Sequence, residues 1–308
     1  MRVTQSMLTN NMMRNLSNSY SNLDKYMDQL STGKKINRPS QDPVVAMKGI
    51  NYRSQVSDIE QFQRNMGEVN NWLDNSDDSL AEANKVLQRM RELAVQGSNG
   101  TYEEGQRANI AEEIDELKAH LVEIANTKVN DKYIFNGTKT TGTDDGTGTG
   151  NMNPPVTVNK DGNVTVSDLP PESTEVFIEV ATGTKLQVNS NPNHVFTKDL
   201  FKDIEAFSEA LRTGEPEEVL DDYIGLIDTH AENVVNERAD IGARMNRVEL
   251  IEDRLSNQEI SAKSMMSKNE DADIEKVILN LTTQESIHRA ALSAGSRVIQ
   301  PTLLDFLR

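Results

Sequence analysis

Apolar residues recur at alternating steps of three and four along most of this chain. In the first segment they fall at Met13, Leu16, Tyr20, Leu23, Met27 and Leu30, the a/d repeat of a narrow coiled-coil seam. Gly33 predicts the end of that helix, and Pro39 and Pro43 with Ser40 and Asp42 predict a turn-rich connector. From Val45 the spacing resumes through Tyr52, Ile59, Phe62, Met66, Val69, Leu73, Leu80, Ala83, Leu87, Met90 and Ala94, with Lys48, Gln55 and Ser76 on three seam positions. A helix of that span is about 75–80 Å long. Gly97, Gly100 and Gly105 predict its end and a reversal. A partner helix follows, with Ile110, Ile114, Leu117, Leu121 and Ile124 on one stripe and Glu112, Glu113, Asp115, Glu116 and Lys118 toward water.

At Thr138 the composition turns to Thr, Gly, Asp and Asn, and the period becomes two: Val156 and Val158, Val164 and Val166, Val176, Ile178 and Val180, Leu186 and Val188. Asp161-Gly162 and Thr182-Gly183 are turn signals between those runs. Helical spacing returns at Leu200, Ile204, Phe207 and Leu211, closed by Gly214. A second very long helix has its seam at Leu220, Ile224, Ile227, Ala231, Val234, Ile241, Met245, Val248, Leu255 and Ala262, interrupted by Arg238, Glu252 and Glu259. A polar stretch, Ser267 to Asp273, separates it from a last helix carrying Ile274, Val277, Leu281, Ala291 and Val298, with Gln284 and His288 on its seam. The apolar end is Leu303, Leu304, Phe306 and Leu307.

These patterns predict a mainly α protein, an elongated antiparallel helical bundle with a small inserted β domain. The expected divisions are an N-terminal assembly helix and connector over 1–43, a helical rod over 44–137 and 198–270, a β domain over 138–197, and a C-terminal assembly helix over 271–308. Composition agrees: of 308 residues only 36% are hydrophobic and 5% aromatic, too few large side chains for a thick core.

The formal charge of −17 argues against nucleic acid, whose phosphates need clustered Lys and Arg. Residues 1–40 nonetheless hold six basic residues against Asp24 and Asp28, which fits either a solvated helix or one that docks on an acidic neighbour. With no cysteine there is no disulfide or thiolate chemistry. No apolar run reads as a Sec signal peptide or as a membrane span.

Candidate chemistry is sparse. His120, His194, His230 and His288 are far apart in sequence, with no paired ligand spacing. The Gly142 to Gly150 run fits neither a phosphate loop nor a dinucleotide fingerprint, and the carboxylates Glu112 to Glu116 lie on the polar face of a helix. Asn269, Asp271 and Asp273 lack the glycine of a calcium loop, so a helix N-cap is the plainer reading. No catalytic residue, cofactor or metal site is expected. The narrow terminal seams, cut from the long helices by polar breaks, can pair only with each other or with neighbouring subunits.

Four stretches carry a family resemblance: Met1-Arg2-Val3; Leu30-Ser31-Thr32-Gly33-Lys34-Lys35-Ile36-Asn37-Arg38; Leu87-Gln88-Arg89-Met90-Arg91-Glu92-Leu93-Ala94-Val95-Gln96; and Leu303-Leu304-Asp305-Phe306-Leu307. Together they resemble the flagellin superfamily, over roughly residues 1–137 and 220–308. The connector Ile36, Asn37, Arg38, Pro39, Ser40, Gln41, Asp42, Pro43 is similar to the hook-filament junction branch, although Gln41 departs from the Asp common there. Asn130 to Thr140 resembles that branch too, with Phe135-Asn136-Gly137 shared with flagellin.

The resemblance implies a flagellin-like helical core and a secreted, extracellular structural subunit of the bacterial flagellum. It implies type III export with a cytoplasmic chaperone on the C-terminal segment. It also implies assembly as a ring between a FlgK-type junction protein and flagellin, with no membrane insertion. The expected assembly interface is Met13, Leu16, Tyr20, Leu23, Met27 and Leu30 with Ile274, Val277, Leu281, Leu303, Leu304, Phe306 and Leu307. A filament subunit, and a surface adhesin whose β domain binds a ligand, are the alternatives.

Overall fold

Polar and glycine residues at the ends of the hydrophobic seams set where the helices begin and stop. In the computed structural model, residues 5–99, 104–144, 152–159, 163–167 and 173–298 are described. Helix α1 (Gln5–Thr32) ends where Gly33 turns left-handed, φ +68°, and donates its N–H to the Gln29 carbonyl at 2.9 Å. Helix α2 (Pro43–Gly97) opens with a proline, and the Asp42 carboxylate accepts the N–H groups of Val44 and Val45, both at 3.0 Å.

The chain divides into two units, Met1–Ile59 with Asn257–Arg308, and Glu60–Ser256. The second unit contains most of α2, then α3 (Glu104–Ala125), α5 (Lys198–Thr213) and most of α6 (Glu217–Glu270). Its core takes Met66, Leu73, Leu80, Leu87 and Met90 from α2, Ile110, Ile114 and Leu121 from α3, and Phe201, Ile204, Phe207 and Leu211 from α5. From α6 it takes Leu220, Ile227, Val234, Ile241, Val248 and Leu255, one residue every seven and all buried. That strict repeat is the period of a supercoiled seam.

Within this unit α2 and α6 run antiparallel. The Arg91 side chain meets Asp228 at 2.5 Å, Arg238 holds Asp77 through two bonds of 2.7 and 3.0 Å, and Asn70 donates to Glu252 at 2.7 Å. Two of the polar residues that interrupt the α6 seam, Arg238 and Glu252, thus have partners on the facing helix.

The β region consists of four separate two-stranded antiparallel pairs, with no ladder joining one pair to the next among the described residues. They are β1 (Lys128–Val129) with β2 (Lys132–Tyr133), β3 (Thr143–Asp144) with β4 (Met152–Asn153), β5 (Val156–Val158) with β6 (Val164–Val166), and β7 (Phe177–Ala181) with β8 (Thr184–Gln187). Asn130 and Asp131, at φ +50° and +62°, make the tight first turn. Thr182-Gly183 joins β7 to β8 as expected, whereas Asp161-Gly162 lies outside the described residues.

Lone hairpins are marginal in water, and these lean on helices. Asn126 exchanges two bonds with the Val156 backbone, at 2.7 and 3.1 Å. Glu205 accepts the Val164 N–H at 2.8 Å, and Asn65 donates to the Glu179 carbonyl at 2.7 Å. Buried Asn189 ties the strand ends together through Thr174, Val176 and Ser190, and Arg244 of α6 donates to the Asn189 carbonyl at 2.6 Å. A short helix, α4 (Pro192–Val195), leads to α5, which Thr197 caps and Gly214 closes.

The first unit pairs α1 with α7 (Ile274–Val298) beside the start of α2 and the end of α6. The break before α7 is shorter than Ser267 to Asp273. Helix α6 runs on to Glu270 because Asp271 is drawn back onto Ser267, its N–H to the carbonyl at 2.8 Å and its carboxylate to the hydroxyl at 2.6 Å. Asp273 then caps α7 by accepting the Lys276 N–H at 3.2 Å.

Two glycines test how far the hairpins depend on backbone geometry. A Cβ on Gly137, φ +53°, would lie 2.1 Å from the Ser173 carbonyl oxygen, whereas one on Gly183, φ +74°, would meet nothing within 4 Å. Gly183→Ala is expected to cost about 1 kcal/mol of strain, and Gly137→Ala more, up to about 3. Leu80→Ala, in a fully buried seam position, should cost about 2–5 kcal/mol. Urea denaturation checks all three, and Gly183→Ala matching Gly137→Ala would refute the account of the Ser173 contact.

Candidate assembly surfaces

The sequence predicts no reaction centre, so the candidate site is the set of apolar and charged surfaces in the first unit. Helices α1 and α7 lie antiparallel, with Gly295 against Met12, Gln284 against Ser19, and Gly33 against Ala272. The inward stripe of α1 is Met12, Leu16, Ser19, Leu23 and Tyr26, and that of α7 is Val277, Leu281, Gln284, His288, Ala291 and Gly295. Gln284 donates to the Ser19 hydroxyl at 3.0 Å, a polar rung in the middle of an otherwise thin apolar contact.

This register differs by one residue from a seam through Met13, Tyr20 and Met27. Leu16 and Leu23 are half-buried in the helix pair, but Met13 and Met27 are each 61% exposed and Tyr20 is 68% exposed. The reason lies on α7: a polar Gln284 needs a small hydroxyl opposite it, which Ser19 supplies and Tyr20 would not. Tyr20 instead lies with its ring 6.2 Å from that of His288. Leu30 and Ile274 are exposed, Val277 is buried and Leu281 half-buried. Leu303, Leu304, Phe306 and Leu307 lie outside the described residues.

The same one-residue shift occurs at the start of α2. The seam passes through Val45, Gly49, Tyr52, Val56 and Ile59, leaving Lys48 and Gln55 in water. Gly49 makes room for Glu270, which is only 5% exposed; a Cβ on Gly49 would sit 2.5 Å from Oε1 of that carboxylate.

Around Glu270 the connector is clamped to the end of α6. Lys35 donates its backbone N–H to the Glu270 carbonyl at 2.7 Å, and Ala272 donates to the Gly33 carbonyl at 2.8 Å, a one-rung antiparallel bridge. The Glu270 carboxylate takes Arg53 at 2.7 Å and Lys34 at 3.6 Å, and Lys34 also reaches Asp271 at 2.6 Å. Asn269 donates to the Val45 carbonyl at 3.0 Å, and the Lys35 ammonium to the Lys268 carbonyl. The Lys34 hydrogen bond, reinforced by Ser267, holds the Asp271 carboxyl below its ordinary value, and Asp271 raises Lys34 in return.

The remaining connector residues fold over this clamp. The Asn37 side chain accepts from Thr32 at 3.0 Å, and its N–H is held by Gln41 at 2.8 Å, so the residue that departs from the family pattern closes the turn. Ile36, Asn37, Arg38 and Pro39 join Val45, Ala46, Ile50, Arg53 and Glu270 around a cavity of about 230 Å³. Asp42 and Pro43 start α2, as described. Met12, Ser19, Gly49 and Glu270 are absent from the seams read from sequence. Gln284 and His288 on the α7 stripe were the one signal for Ser19, while nothing local marks Glu270 as buried.

The four histidines stay separate. His230 meets Asp203 at 2.9 Å, His120 meets Glu82 at 3.2 Å and His194 lies 3.6 Å from Glu237. Among the described residues no three His, Asp or Glu groups are placed to hold a metal ion, and no helix is long and apolar enough to cross a membrane.

Paired terminal helices, two long seam-bearing helices and a set of anchored hairpins define a helical structural subunit. The chain belongs to the bacterial flagellin superfamily: residues 3–140 match the bacterial flagellin N-terminal helical region and residues 224–307 the C-terminal helical region. It is 28% identical to the flagellar filament 31.3 kDa core protein of Treponema maltophilum over 92% of both chains. It is 24% identical to the flagellar hook-associated protein 3 of Escherichia coli K12 over 96% of both.

Among solved structures it shares the fold of a putative flagellar hook-associated protein from Vibrio parahaemolyticus (TM-score 0.64, 20% identity, 75% of this chain and 100% of that one). It also shares the fold of Bacillus cereus FlgL (TM-score 0.56, 22% identity, 70% and 99%).

Two outcomes follow from the clamp. Because Asp271 titrates below its unfolded value of 3.8, its contribution is fully present above that pH and lost as pH falls through the lower folded value. Amide protection factors at residues 33–36 and 271–274 should therefore fall below about pH 3.8, and Lys34→Met should weaken that acid dependence, leaving the part that Ser267 supports. Gly49→Val should destabilise the first unit by about 1–3 kcal/mol, since the buried carboxylate it displaces is pinned by Arg53. An unchanged denaturation midpoint would rule out the tight approach of Glu270.

Proposed function

We propose that this chain is a flagellar hook-filament junction subunit of the hook-associated protein 3, or FlgL, type, working through assembly surfaces. What carries the reading is end-to-end similarity to hook-associated protein 3 sequences, over 96% of this chain and of the Escherichia coli protein. The stripe of Met13, Tyr20 and Met27, left exposed by the α1–α7 pair, supports it. Three large apolar side chains seven residues apart form the narrow seam that a further helix covers. In this reading neighbouring copies and the FlgK-type and flagellin neighbours bury that stripe with Leu30, Ile274, Leu303, Leu304, Phe306 and Leu307. The hairpins of 138–197 form the outward β domain.

The subunit leaves the cell through the flagellar export apparatus, with a chaperone covering the C-terminal segment until export. A second reading, a filament subunit, is favoured by the whole-length match to the Treponema maltophilum filament protein.

Hydrogen exchange on the full chain, alone and with the FlgK-type protein of the same flagellum, tests the proposal. Residues 5–32 and 275–298 should exchange readily alone and gain an order of magnitude or more in protection with the partner. Full protection in the isolated chain would defeat it. Protection appearing only when the chain polymerises by itself would favour the filament reading. Deleting 138–195 should leave partner-induced protection intact; losing it would move weight to a ligand-binding β domain.

A further inference from the structure

We propose that the cavity beside the connector receives the start of α6 from a second copy of this chain, so that copies associate head to tail through two unlike surfaces. This rests on the reading above that the chain assembles in multiple copies, and it names where they touch.

The receiving surface is apolar with a basic rim. The cavity of about 230 Å³ has Ile36, Pro39, Val45 and Ile50 in its walls, and Ile50 is 62% exposed. The acidic groups beside it are engaged within their own copy: Glu270 by Arg53 and Lys34, Asp271 by Lys34 and Ser267, and Asp42 by the first turn of α2. Arg38, on the cavity wall, and Lys48, one turn into α2, form no ion pair among the described residues. An incoming side chain therefore meets apolar walls and an uncommitted guanidinium.

The complementary surface is in the second unit. Residues 213–226 contain five exposed carboxylates, Glu215, Glu217, Glu218, Asp221 and Asp222, and no Lys or Arg. On α6, Val219, Asp222 and Leu226 follow at steps of three and four and so share a face. All three are exposed, Val219 at 38% and Leu226 at 40%. Glu218 and Asp221 flank Val219 and are exposed as well. An apolar ridge with carboxylates matches an apolar cavity with an Arg on its wall in both character and charge. In a chain of net charge −17, such a match is what overcomes repulsion between identical copies and orients their approach. Because the two surfaces differ, the contact is heterologous and propagates to a ring or a helix rather than closing as a dimer.

The absence of native cysteine makes a direct test possible. The full-length Ile50→Cys/Val219→Cys double variant, oxidised at high protein concentration, should give a ladder of covalent oligomers, while either single variant gives none beyond background. The ladder should fade in high salt and with Asp222→Arg, and return when Arg38→Asp is added to Asp222→Arg. Dimers from Ile50→Cys alone as abundant as the ladder would overturn the proposal in favour of a symmetric contact. No crosslinking would overturn it too; if the terminal helices of that variant are still protected by the FlgK-type partner, the junction reading survives and this contact alone is lost. A ladder insensitive to salt and to both charge reversals would also count against it.

Discussion

An apolar residue every seven positions on a helix makes a seam too narrow to hide by folding the helix on itself, so it must meet another helix along its length. In the second unit that requirement is met by α2 and α6, whose buried residues Met66 to Met90 and Leu220 to Leu255 fill one core. The other elements of the unit join that core: α3 and α5 pack on each other and add their buried stripes to it, and the hairpins are held by side chains such as Asn65 of α2, Asn126 just past the end of α3 and Arg244 of α6. The polar residues within the seam do not weaken its register. Arg238 with Asp77 and Glu252 with Asn70 occupy matching levels on the two helices, which penalises any axial slip.

In the first unit the governing feature is a buried charge. Glu270 is tolerable in the interior because Arg53 and Lys34 compensate it and Gly49 gives it space. Removing one partner of such a group is costly, so the clamp specifies a single path for the connector between α1 and α2. By contrast the α1–α7 contact is thin, with a Ser19–Gln284 rung at its middle and the larger side chains Met13, Tyr20 and Met27 turned away. A strong connector beside a weak terminal pair suits a subunit whose ends are completed by neighbours.

The ends of α1 and α5 at Gly33 and Gly214 and the change of period beyond residue 138 were legible in the sequence, because each rests on chemistry that acts within about a turn. The seams were legible to within one residue. Steps of three and four leave two neighbouring positions, such as Met12 and Met13 or Lys48 and Gly49, almost equally placed to face inward, and the partner helix chooses between them. Hydrophobicity favoured Tyr20 over Ser19; the amide of Gln284, 265 residues away, reversed that choice.

The sequence by itself therefore determined the long helices, the hairpins β5–β6 and β7–β8, the mainly helical class and the superfamily, since period and motif order need no knowledge of contacts, whereas β1 to β4 and α4 are too short to show a period. Only the tertiary structure decided which side of each terminal helix is spent within the chain, where the connector lies, and that Glu270 is interior. Those outcomes depend on groups brought together across more than two hundred residues, as Lys34 and Asp271 are, and no local pattern encodes such a meeting.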